Sequence, residues 1–121
     1  MRIALLFIAS RFFLGHDTTA QSRQPDSLRR ALAAHPRRDT FRVAIFNALA
    51  FHYSSRNPDS GLLYADSAIR LAGELADQAG LATAYLYKGV NLAARGTDSV
   101  ALGYYSRALA IARGERLRVV E

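Results

Sequence analysis

Apolar residues along this chain recur at helical spacing. Val43, Phe46, Leu49, Ala50 and Tyr53 follow the 3.6-residue period, which places them on one face of an amphipathic helix. A shorter stripe of Leu28, Ala31 and Leu32 precedes it and stops before Pro36. Beyond it come three more: Gly61, Ala65, Ala68 and Ile69; Tyr85, Gly89 and Leu92; and Ala101, Tyr105, Ala108 and Leu109. Nothing in the chain shows the apolar-polar alternation of a half-buried strand, so the pattern predicts an all-α fold.

Turn chemistry divides the stripes into helices. Gln24-Pro25-Asp26-Ser27 reads as a helix start, and Asp39-Thr40 as the cap of a second helix. Asn57-Pro58-Asp59 starts a third: Asn57 accepts from free amides, Pro58 needs no donor at the first helical position, and Asp59 suits the positive end of the dipole. That helix is expected to run to about Asp77, with Gly80 as its break. A fourth then spans Leu81 to Ala94 or Arg95 and ends at Gly96. Thr97-Asp98 caps a fifth that reaches Arg113-Gly114, leaving 115–121 as the start of a further helix or a tail.

Two of these helix pairs repeat each other. Ala50 and Gly89 are 39 residues apart, and Ala68 and Ala108 are 40 apart, so both halves of the unit recur together. Residues 40–80 form the first unit and 81–114 the second, with a leading helix and linker over 21–39. Phe46, Leu49, Tyr53, Ala68, Tyr85, Leu92, Ala101, Tyr105 and Leu109 are the expected buried positions. Gly61 and Gly89 fall where neighbouring helices approach most closely.

This order of aromatic, small and branched residues resembles the tetratricopeptide (TPR) signature over 40–114. The resemblance implies antiparallel helical hairpins stacked as a short TPR-type α-solenoid, and a scaffold that binds proteins or peptides without catalysis. It also implies a concave groove lined by the first helix of each pair. By position, Asn47, Phe51 and Ser54 of the first unit and Tyr87, Val90 and Asn91 of the second face that groove. Asn side chains can hold an extended backbone, and Phe and Tyr supply apolar contact. The repeat length near forty and the N-terminal pattern described below are similar to the extracytoplasmic TPR regions of bacterial sensor histidine kinases and regulators. Lys88 stands where the TPR pattern has a core Leu.

The N-terminus changes the picture of location. Met1-Arg2 is a short positive start, Ile3 to Ala9 is continuously apolar, Phe12-Phe13-Leu14 extends the run, and Thr18-Thr19-Ala20 supplies small residues. This is the pattern of a secretory signal peptide over 1–20, cut before Gln21, and it predicts an exported, periplasmic or secreted protein; without cleavage the chain stays cytoplasmic. The run is too short and too charged to predict a stable membrane span.

Composition narrows the function. At 121 residues and 50% hydrophobic, the chain suits one small domain. Its charge of +6 comes from fifteen arginines and Lys88 against ten acids. The arginines are scattered, with only Arg29-Arg30 and Arg37-Arg38 adjacent, so no nucleic-acid partner is expected. A basic surface for acidic lipid or nucleic acid, and self-association through open repeat ends, stand as the alternative readings. Cysteine is absent, His16, His35 and His52 lie far apart, and no phosphate-binding loop occurs. No catalytic residue, metal ligand or cofactor motif is predicted.

Overall fold

The structure is a computed structural model and describes residues 24–120, with side chains to Arg116. The expected signal peptide, 1–20, lies outside the described residues. Five helices fill the described chain: α1 over 24–34, α2 Thr40–Tyr53, α3 Pro58–Leu75, α4 Gln78–Ala94 and α5 Asp98–Val120. Among the described residues there is no strand. No described helix is long and apolar enough to cross a membrane.

The caps explain most of the boundaries. Asp39 accepts from the Arg42 amide at 3.0 Å and starts α2. Its carboxyl is held below the ordinary carboxylate range by the hydrogen bond with His35, with the Arg42 amide adding to it and desolvation opposing. Arg42 ties α1 down by donating to the Leu32 and His35 carbonyls at 3.2 and 2.7 Å. Asn57 accepts from Ser60 N and Pro58 fills the first turn of α3, as the sequence predicts.

Two boundaries differ from expectation. The break after α3 is Ala76, in the left-handed region at φ 54°, and Asp77 at once caps α4 by accepting from Gly80 N. Gly80 is therefore inside the first turn of α4. Its lack of a side chain serves a close approach instead, because an added Cβ would sit 2.8 Å from Val43 Cγ1. The left-handed region costs a residue with a Cβ about 1 to 2 kcal/mol. Ala76→Gly is accordingly expected to stabilise the chain by about 0.5 to 1 kcal/mol, read as a higher Tm. At the other end, α5 passes through Gly114 and continues to Val120, so 115–120 extend one helix rather than open another. A glycine inside a helix costs only about 1 kcal/mol, and the rest of α5 carries it.

The helices pack in sequence, α2 on α3, α3 on α4 and α4 on α5, and α2 also touches α4. Short turns make each consecutive pair antiparallel, so α2 and α4 run parallel. The core is built of small residues: Ala50, Ala65, Ala68, Ala72, Ala84 and Ala101 are buried beside Val43, Ile45, Leu49 and Leu71. Alanine lets helix axes approach closely, while the large rings sit at the rim. Leu49, Ala68 and Ala101 are buried as expected, but Phe46, Tyr53, Tyr85, Leu92 and Tyr105 are only half-buried. Leu109 is 51% exposed, so it is not part of the core.

The half-buried rings pair across each hairpin. Phe46 meets Tyr64 at 6.4 Å between α2 and α3, and Tyr85 meets Tyr104 at 6.0 Å between α4 and α5. The partners of these two contacts are offset by 39 and 40 residues, the spacing of the sequence repeat. Lys88 fits this rim without becoming a core residue. It donates to Asp66 at 2.7 Å and lies 4.8 Å over the Tyr104 ring. Partial burial pulls its pKa down, but Asp66 and Tyr104 more than offset this and hold it above the ordinary lysine range.

Candidate functional site: the groove between α2 and α4

Because α2 and α4 run side by side, their outer faces frame a groove of about 500 Å3. Asp39 and Asp77 cap the two helices at the same end, which sets their register. Asn47 fixes the contact there by donating Nδ2 to the Gly80 carbonyl at 3.1 Å. Val43, Asn47 and Phe51 line the groove from α2, and Gly80, Thr83 and Tyr87 from α4. At the far end the Phe51 and Tyr87 rings lie 5.4 Å apart, and Phe51 is 51% exposed. His52 stands beside Phe51 with the rings 5.4 Å apart.

The groove is mainly apolar, with a few polar groups near its floor and rim. Asn47 is 5% exposed, and its Oδ1 accepts from no group among the described residues. The Thr83 hydroxyl donates to Ala79 O, and the Asp77 carboxylate is engaged by Gly80 N. Such a surface favours a neutral, partly apolar chain over a strongly charged ligand.

Of the six residues expected to face a ligand, Asn47, Phe51 and Tyr87 line this groove together. Ser54 and Val90 are half-buried outside its lining, and the Ser54 hydroxyl donates to the Phe51 carbonyl at 2.6 Å. Asn91 is enclosed completely, at 0% exposure, so it faces no ligand. Its Nδ2 donates to Ala50 O at 3.0 Å and Tyr87 O at 2.8 Å, bridging α4 to α2. The reason is packing rather than angle: Asn91 lies on the same face of α4 as Gly80 and Tyr87, but α3 closes over it at Gly61, where any added Cβ would overlap the Asn91 carboxamide. Gly80, Thr83 and Thr40 belong to the lining and were not expected. The i, i+3, i+7 spacing of Gly80, Thr83 and Tyr87 is the signal that marks them as one face.

Among the described residues no three His, Asp or Glu side chains gather as a metal would require. No protein-family model, curated protein or solved structure matches the chain. The described residues form an all-α fold with a mainly apolar groove between α2 and α4.

Proposed function

We propose that this chain is a non-enzymatic TPR-type scaffold, its hairpins stacked as a short α-solenoid, and that the α2–α4 groove binds a peptide segment of a protein partner. The observation that carries the reading is the groove itself, where Asn47, Phe51 and Tyr87 converge from two helices. The Phe46–Tyr64 and Tyr85–Tyr104 pairs, recurring at the sequence period, support the repeat. An apolar side chain of the partner would sit against Phe51 and Tyr87, whose rings lie 5.4 Å apart at the open end of the groove. We further propose, from the N-terminal pattern and the resemblance to extracytoplasmic TPR regions, that this binding takes place outside the cytoplasm, in the sensing part of a bacterial signalling system.

Selection of a random peptide library on the full chain tests the proposal. Enriched peptides are expected to share an apolar residue and to bind Phe51→Ala roughly tenfold more weakly, about 1.4 kcal/mol. Phe51 is half exposed, so the variant is expected to melt like its parent, which separates binding from folding. Groove binding should persist as salt rises, whereas binding to the arginine surface should be lost. Peptides that ignore Phe51→Ala and vanish in salt would replace this reading with the electrostatic one.

A further inference from the structure

The positions that α4 covers on the first hairpin recur on the second, where no described helix covers them. Val43 and Asn47 of α2 and Ala68 and Ala72 of α3 are all buried. Leu81 of α4 packs against the cluster of Val43, Leu71 and Ala72, and Gly80 accepts the Asn47 amide. Shifted by 39 residues from α2 and 40 from α3, the same four positions are Ala82, Leu86, Ala108 and Ala112. Together with Tyr105 and Leu109 they line an open, almost wholly apolar groove of about 480 Å3 between α4 and α5. Leu86 and Leu109 are 42% and 51% exposed there.

We propose that the α4–α5 groove docks one amphipathic helix of a partner protein, lying on α4 and α5 as α4 lies on α2 and α3, with an acidic N-terminal turn. The shape follows from the repeat, since the equivalent place within this chain holds a helix. Alanines at 82, 108 and 112 leave room for large apolar residues on the docked face at i, i+3 or i+4, and i+7. The charge follows from polarity. α4 begins beside the C-terminal end of α3, so the docked helix begins beside the C-terminal part of α5, where Arg113 and Arg116 are exposed. A helix start already carries partial positive charge, and acids in its first turn offset both.

Two observations disfavour a second copy of this chain as the occupant. Each copy carries a net charge of +6. The repeat shift would also bring in α2, which has Phe41 at the position where α4 has Gly80, and an added Cβ there already comes within 2.8 Å of Val43.

The experiment is a phage selection on the full chain. The probe is a library of 18-residue amphipathic helices with a Leu/Ala stripe, whose first turn is acidic, basic or neutral, beside controls with the stripe scrambled. Acidic-turn helices are expected to be enriched on the parent and to bind Leu109→Glu roughly tenfold more weakly. The double variant Arg113→Glu, Arg116→Glu is expected to reverse the preference to basic turns, and Phe51→Ala to leave it unchanged. All the altered residues are exposed, and circular dichroism checks that each variant stays helical. Enrichment no better than the scrambled stripe, or indifferent to Leu109→Glu, overturns the proposal. Equal enrichment of acidic and basic turns does the same. So does a concentration-dependent oligomer in sedimentation that Leu109→Glu abolishes, because a second copy then fills the groove. Failure of the α2–α4 peptide selection would leave this result standing, as the two grooves are altered by different substitutions.

Discussion

Asn91→Asp is expected to unfold much of the protein at neutral pH. Asn91 is fully enclosed, and its Nδ2 donates to two carbonyl oxygens, Ala50 O and Tyr87 O. An ionised carboxylate there would face acceptors on both sides with no donor to pair it, and an uncompensated buried charge costs about 3 to 5 kcal/mol. That is a large share of the whole stability of a small domain. The effect has a pH signature. Burial raises the folded-state pKa of the new carboxyl above its unfolded value, so the penalty relative to Asn91→Ala is absent below the ordinary carboxylate range. It grows as pH rises from the unfolded pKa toward the folded one and is constant above that. Chemical denaturation of both variants across pH checks this: Asn91→Asp should lag Asn91→Ala at neutral pH and approach it in acid. Parallel curves would mean that the site is wetter than its exposure indicates.

Gly89→Leu is expected to cost about 1 to 3 kcal/mol, with Gly103→Ala as its neutral control. A Cβ on Gly89 would lie 2.5 Å from Tyr105 Cε1 and 3.2 Å from the Ala101 carbonyl. The tyrosine ring can shift, but the carbonyl belongs to the backbone of α5 and cannot follow without separating the helices. An added Cβ on Gly103 meets nothing within 4 Å and raises helix propensity. Thermal melts should therefore show a clear drop for Gly89→Leu and an equal or higher Tm for Gly103→Ala. Equal melting of Gly89→Leu and the parent would contradict the α4–α5 contact.

Local chemistry made much of this architecture legible. Asp39, Asn57-Pro58 and Gly96 act as punctuation because their effects are confined to one turn, and each lies at or next to the boundary expected of it. Ala76 was illegible, since nothing in an alanine announces a left-handed backbone; it closes the end of α3, where the Asp77 amide donates to Ala72 O at 2.9 Å. Gly80 misled for the complementary reason: a glycine needed for close packing looks the same in sequence as one needed for a turn. At the site, Asn47, Phe51 and Tyr87 were expected by position from the TPR resemblance, and the structure places all three along one groove. The enclosure of Asn91 was not legible, because what encloses it is Gly61, thirty residues away, where any side chain would overlap the Asn91 carboxamide. Leu109 shows the same limit. A stripe reveals which face of a helix is apolar, but not whether another element covers it.

The central claim is that a partner peptide lies between α2 and α4. Backbone amide shifts of the isotope-labelled full chain, followed while an enriched peptide is titrated in, test it most directly. The account predicts perturbations centred on Asn47, Phe51, Gly80, Thr83 and Tyr87, with α5 unmoved. Shifts centred instead on α5, or spread over the scattered arginines and erased by salt, would contradict it.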